Sequence, residues 1–306
     1  MALTVDQAET IYQESRRTIY RKVKELNIPS KKENGVNVYD EAILDQYFKR
    51  KDKIDSLAKV VCFANQKGGI GKTTTCLNAG ISLSNYNKKR VLLIDFDPQA
   101  NLTSQFAEPA GIAETIGDAL GLKNYGFKSS SFERVVISKN GIDIIPSNIR
   151  LQRFNMPLGI DAIDAFDKLG KFIKNLKGRY DYILIDCPPT LDIKLLNALK
   201  CSDIVIIPVT PAAFSVQGMD DLFETIEKVK ETGSNLKSYI LINKYNERRQ
   251  LSTLKDEIYG SSEVLETIIP DRTDIEKAQA LPEHIDAVNH KIFKIYNKLT
   301  DEIIKL

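Results

Sequence analysis

Two rhythms of apolar and polar residues run along this chain. In the first fifty residues the apolar positions recur at helical spacing. Ile19, Val23 and Leu26 fall at i, i+4 and i+7 within SRRTIYRKVKEL, which predicts a helix beginning near Ser15 with one apolar face. Ahead of it, Thr4-Val5-Asp6-Gln7 is a Thr-x-x-Gln capping box and predicts a helix over Val5–Tyr12. Asn34-Gly35 is a hairpin turn signal inside Ile28–Val38, and Asp40 predicts the cap of a third helix, Glu41–Phe48. The charged, unpatterned KRKDK that follows reads as a linker over 49–57.

From residue 58 the rhythm changes to short, unbroken apolar runs. They lie at Val60–Ala64, Arg90–Ile94, Gly141–Ile145, Tyr182–Ile185, Ser202–Val209, Tyr239–Ile242 and Val264–Ile269. Runs without alternation predict strands covered on both faces, as in a parallel sheet. Helical patterns follow several of them, at Cys76, Leu77, Ala79, Ile81 and Leu83 and around Gln217–Val229, and Ala113–Leu122 is a further helix candidate. The tail His284–Leu306 places Ile285, Val288, Ile292, Ile295, Leu299 and Ile303 at helical spacing. The predicted fold is α/β: a mostly parallel sheet flanked by helices over 58–306, preceded by a small domain over 1–48.

Composition narrows the classes. A chain of 306 residues has ample length for a buried core, and 42% apolar with 27% charged residues is ordinary for a soluble globular protein. A net charge of +2 does not announce nucleic-acid binding, so any basic surface is local. Cys62, Cys76, Cys187 and Cys201 are scattered, with no CxxC or Cys/His cluster, so zinc and iron–sulfur sites are not indicated. They read as reduced core thiols of a cytosolic protein. MALTVDQAET is no signal peptide, and no apolar run approaches the length of a membrane span.

The chemistry concentrates in FANQKGGIGKTTT, between an apolar run and a helical pattern. Strand, glycine loop, helix is the context of a phosphate-binding loop. Gly68, Gly69 and Gly71 let the backbone N–H groups of the loop, through Ile70 and Thr74, curl around an anion at a helix N-terminus. Lys72 would reach the β- and γ-phosphates, and the Thr73 hydroxyl would ligate Mg²⁺. Two carboxylates, Asp95 and Asp97, stand at the carboxyl end of the next apolar run in DFDPQ, and Asp186 ends another, where ligands bind in open α/β sheets.

Gln66 stands where the general motif has glycine, and Lys67 follows it. The form KGGIGKTT resembles the deviant Walker A loop of the ParA/MinD/Soj ATPases, and DFDPQ resembles the Walker A′ motif of that family. The resemblance covers about four-fifths of the chain, from Val60 to the C-terminus. It implies ATP and Mg²⁺ as cofactors and an ATP-dependent homodimer in which Lys67 reaches the partner's nucleotide. It makes Lys67, Lys72 and Asp97 catalytic, with Asp97 orienting the attacking water. Asp95 would support the Mg²⁺ shell, Asp186 would bind the metal directly or through water, and Asn243, Pro270 and Asp271 would line the adenine pocket. Those last three are equally ordinary turn residues.

Arg16, Arg17, Tyr20, Arg21 and Lys24 occupy the arc opposite the apolar face of the second helix, and the hairpin would carry Lys31 and Lys32. This order resembles the MerR/excisionase-type winged helix-turn-helix and implies DNA binding. A dimerisation module with solvated charges is the alternative. Arg248 and Arg249, near Lys228, Lys230, Lys237 and Lys255, match a region where relatives hold DNA non-specifically, although Glu227 replaces an arginine found in some of them. Solvated surface charge is the other reading. The resemblance thus implies a cytoplasmic, nucleoid-associated DNA-partition ATPase that a ParB-like centromere-binding protein stimulates and that autoregulates its operon. A MinD-like membrane-associated positioning ATPase is the alternative, and it would need the amphipathic tail as a lipid anchor rather than as part of the core.

Overall fold

The computed structural model describes residues 2–12, 14–33, 35–40, 43–44, 47–48, 58–155, 162–176, 178–211, 219–246, 263–271 and 290–306. The chain divides into two compact units, Met1–Ser56 and Leu57–Leu306.

The smaller unit runs β1 (Ala2–Thr4), α1 (Val5–Tyr12), α2 (Arg16–Glu25), β2 (Ser30–Glu33) and β3 (Val36–Asp40). The capping box closes on both sides: Gln7 N donates to Thr4 Oγ1 at 3.2 Å, and Thr4 N donates to Gln7 Oε1 at 2.8 Å. Ser15 caps α2 by accepting from Thr18 N at 3.2 Å. Glu33 pairs with Val36 across the turn, where Gly35 supplies φ +81°. Strand β1 pairs antiparallel with β3, an addition that three residues could not announce by periodicity. Leu3, Ala8, Tyr12, Ile19, Val23 and Ile28 share one apolar core with Leu44 and Phe48. Leu26 departs from expectation: it sits at the helix C-cap, 44% exposed, and Ile28 takes the buried place instead. Asp40 is the last residue of β3, and the expected helix Glu41–Phe48 and the linker 49–57 fall largely or wholly outside the described residues.

The larger unit is built on β4 (Lys59–Phe63), β5 (Val91–Asp95), β6 (Ile137–Lys139), β7 (Ile142–Ile145), β8 (Tyr182–Asp186), β9 (Ile204–Val209), β10 (Lys237–Tyr245) and β11 (Glu263–Pro270). Their order in the sheet is β11-β10-β9-β4-β8-β5-β7-β6, parallel throughout except for β6 against β7. Because side chains alternate along a strand, Val60 and Cys62 enter one core and Val61 and Phe63 the other. Helices α3 (Lys72–Asn85) and α6 (His290–Lys305) bury their apolar residues on one face, α4 (Ile193–Cys201) and α5 (Asp220–Glu231) on the opposite one. This two-sided cover explains why the strands read as unbroken apolar runs.

One expectation changes, and the tail packs as expected. The helix candidate Ala113–Leu122 shrinks to Ile116–Ala119, because Thr115 and Asp118 form a capping box that starts it late and Gly121, at φ +62°, stops it early. The tail is part of the core: Tyr296, Leu299 and Ile303 are buried, Ser82 Oγ donates to Asn297 Oδ1 at 2.7 Å, and the Glu302 carboxylate accepts from the backbone of Glu266 and Thr267 at 2.6 and 3.1 Å. Among the described residues no helix is long and apolar enough to cross a membrane.

Candidate functional site

The parallel register brings the chemistry together. Phe63 and Asp95 both pair with Asp186, so the loops leaving β4, β5 and β8 emerge side by side at the carboxyl edge of the sheet. There they border a cleft of about 430 Å³. Gly68, Gly69, Lys72, Thr73, Thr74 and Asp97 line it on one side, and Asn243, Pro270 and Asp271 reach it from the ends of β10 and β11. Residues separated by some two hundred positions thus share one cavity.

Gly71 is the N-cap of α3 at φ +88°, and no side chain caps the helix. The first turn of α3, with Lys72, Thr73 and Thr74, borders the cleft, and the start of a helix is an arrangement that attracts an anion. Lys72 is buried, and its Nζ donates to Lys67 O at 3.0 Å across the base of the loop. Burial lowers its pKa, opposed by the charges of Asp186 and Asp97. Lys67 itself is exposed, and its N donates to Asn65 Oδ1 at 3.0 Å. Asn65 was not singled out in the sequence; its Nδ2 donates to Pro208 O at 2.9 Å and ties the loop to β9.

The carboxylates have distinct places. Thr73 Oγ1 donates to Asp186 Oδ2 at 2.7 Å, while Asp186 Oδ1 is buried without a partner. Burial, with the Asp95 charge added, pushes the Asp186 carboxyl well above the usual range. An orphaned carboxylate oxygen beside a hydroxyl in such surroundings fits a hard cation such as Mg²⁺. No group of three or more acidic, histidine or cysteine side chains among the described residues forms a cage, so such an ion would complete its shell from water and phosphate oxygens. Asp97 borders the cleft, its Oδ1 accepting from Gln99 N at 2.9 Å, and burial raises its pKa.

Asp95 differs from the metal-shell expectation. It is wholly buried behind the cleft, with Oδ2 accepting from Thr103 N at 2.7 Å and Thr103 Oγ1 at 2.6 Å, and Oδ1 from Asp97 N at 3.1 Å. Both oxygens are occupied in bracing the loop that carries Asp97, and burial pushes the carboxyl up to about 7. Thr103 is a second functional position that sequence reasoning missed, since it lies in a segment with no readable period.

The basic positions fare unevenly. Arg17, Tyr20, Arg21, Lys24, Lys31 and Lys32 are exposed. Arg16 pairs with Asp6 at 3.1 Å and lies over the Tyr20 ring at 6.0 Å. Arg248, Arg249 and Lys255 lie outside the described residues. Of their expected neighbours, Lys228 pairs with Glu224 at 2.5 Å and Lys230 with Glu227 at 2.7 Å, so both face acidic partners on α5.

Comparison with known proteins follows the same outline. The family described as AAA domain matches residues 58–242. The chromosome-partitioning ATPase Soj of Treponema pallidum is 32% identical over 255 residues, covering 81% of this chain and 98% of that protein. A plasmid partition protein of Borrelia burgdorferi, solved bound to AMPPNP, superposes with a TM-score of 0.68 at 30% identity, over 81% of this chain and 99% of the other. Cobyrinic acid a,c-diamide synthase of Mycobacterium smegmatis, solved with ADP and magnesium, superposes with a TM-score of 0.67 at 25% identity, over 81% and 94%.

Proposed function

Since this chain belongs to the ParA/Soj/MinD-type family of P-loop ATPases, we propose that it is a DNA-partition ATPase that binds ATP with Mg²⁺ in the cleft and hydrolyses it. The observation that carries the reading is the convergence of the glycine loop, Lys72, Thr73–Asp186 and Asp97 on one cavity. The loop amides and Lys72 hold the phosphates, with Ile70 and Thr74 contributing backbone. Thr73 and Asp186 hold Mg²⁺, which when bound neutralises charge on the phosphate oxygens. Asp97, set by its brace to Asp95, orients the attacking water. Pro270 and Asp271 border the place of the base. Lys67, exposed at the rim, is free to serve a partner's nucleotide in an ATP-dependent dimer.

Non-specific DNA binding is assigned to the region of Arg248 and Arg249. The N-terminal domain, residues 1–48, joined by a linker over 49–57 to an ATPase domain over 58–306, serves as a winged helix-turn-helix whose α2 presents Arg17, Tyr20, Arg21 and Lys24 to specific DNA and so autoregulates the operon. Lys31 and Lys32 on the hairpin add phosphate contacts. A ParB-like partner would stimulate hydrolysis on the nucleoid, in the cytoplasm. The engagement of α6 in the core supports this reading over a lipid-anchored one.

The test is single-turnover hydrolysis beside nucleotide affinity. Asp97→Ala is expected to slow hydrolysis far more than it weakens ATP binding, whereas Lys72→Ala loses tight binding. Wild-type hydrolysis by Asp97→Ala, or unchanged ATP affinity in Lys72→Ala, would refute the assignment.

A further inference from the structure

We propose that Asn243 is a positioning residue that clamps the phosphate loop in its anion-binding shape, and that this clamp, not contact with the base, is its main role. The proposal rests on the reading of the cleft as a triphosphate site. Asn243 lies near the end of β10 and is 4% exposed. Its Nδ2 donates to Ile70 O at 2.7 Å, and its Oδ1 accepts from Lys244 N at 2.9 Å. The second bond is made with Lys244 in the left-handed region, at φ +51°, a conformation that disfavours a lysine and needs support from its surroundings. The amide is therefore fixed from the strand side and holds the loop from the other.

What it holds is the peptide that matters. A trans peptide directs its C=O and the following N–H in opposite senses. Fixing Ile70 O on Asn243 therefore turns the Gly71 N–H away from that side chain, where an anion at the start of α3 would meet it. The loop is also pressed directly against the clamp: a Cβ on Gly71 would stand 2.2 Å from Asn243 Nδ2. One N–H and one lone pair of the amide are bound to backbone, so any contact with a base falls to its second N–H and second lone pair. Without the clamp, Ile70 O would be a buried acceptor left open and its peptide free to rotate.

Inorganic tripolyphosphate separates the two roles, since it offers the phosphates without a base. The affinities of ATP and of tripolyphosphate, each with Mg²⁺, are measured by calorimetry on the full chain for wild type, Asn243→Ala and Asn243→Asp. The aspartate keeps the acceptor for Lys244 N and removes the donor to Ile70 O, so it tests the clamp even if the alanine variant fails to fold by circular dichroism. Both ligands are expected to weaken by the same factor, roughly tenfold or more, leaving the ratio of the two affinities at its wild-type value. A general loss of folding would instead lower the fraction of active protein at unchanged affinity. If ATP weakens while tripolyphosphate binds as before, Asn243 reads the base and the clamp is refuted. A wild-type chain that binds neither ligand removes the reading of the cleft itself, and the clamp with it.

Discussion

The three loop glycines differ in what a methyl group would do to each, and that difference makes a graded prediction. Gly68 has no left-handed φ and no heavy atom near a built Cβ. Alanine there narrows the unfolded ensemble without native strain, so it should be neutral or stabilise the nucleotide-free protein by up to about 1 kcal/mol. Gly69 also has open space, but at φ +72°. Its alanine carries left-handed strain of about 1–2 kcal/mol, partly offset by the same unfolded-state effect. Gly71 stands at φ +88° with Asn243 Nδ2 at 2.2 Å from the built Cβ. That amide is buried, and displacing it breaks its bond to Ile70 O, so the strain is joined by about 1–3 kcal/mol for an acceptor left buried. Net destabilisation of about 2–4 kcal/mol is expected for Gly71→Ala. Urea unfolding without nucleotide, followed by far-ultraviolet circular dichroism, should rank the variants Gly68, Gly69, Gly71 in rising cost. In an Asn243→Ala background the Gly71 substitution should fall back to the strain alone. If Gly71→Ala costs no more than Gly69→Ala, the contact with Asn243 is soft and the steric reasoning fails.

Leu299→Ala in α6, where the side chain is fully buried against α3 and the sheet, should destabilise the larger unit by about 2–5 kcal/mol, read by thermal unfolding; a shift within error would mean that α6 is not part of the cooperative core. Thr4→Ala removes the reciprocal cap of α1 and should cost the smaller unit about 1 kcal/mol, checked by susceptibility of residues 1–48 to limited proteolysis. Arg17→Ala and Arg21→Ala should each lower affinity for a specific DNA site and leave ATP affinity unchanged. A contact with a base would account for about 1–3 kcal/mol and a phosphate contact for a shallower salt slope; unaltered DNA binding in both variants would exclude α2 as the reading helix.

Much of the site was legible because its signals are local. The glycine spacing of KGGIGKTT, the strand before it and the helix after it lie within a few residues of one another, and the same holds for the capping box at Thr4 and the turn at Gly35. The sheet was legible for a related reason: strands covered on both faces have no polar positions to spare, and the seven runs stand out against their surroundings. Short pairings were not legible. β1 and β6 have three residues each, too few for a period, and they exist because a neighbouring strand offers an open edge.

The chain order of Lys72, Asp97 and Asp186, with Lys72 opening a helix and the two carboxylates at or just past strand ends, followed from the sequence alone. Which carboxylate faces the cleft did not. Asp95 and Asp97 are two residues apart and chemically identical, and only the folded loop, with Thr103 closing on Asp95, turns one into a brace and leaves the other at the cavity. Asn65 and Asn243 make the same point at longer range: they hold the phosphate loop through bonds to Pro208, 143 positions away, and Ile70, 173 positions away. Local propensity carries information over a turn or two of chain, whereas a hydrogen bond between distant segments exists only once the sheet has set their register.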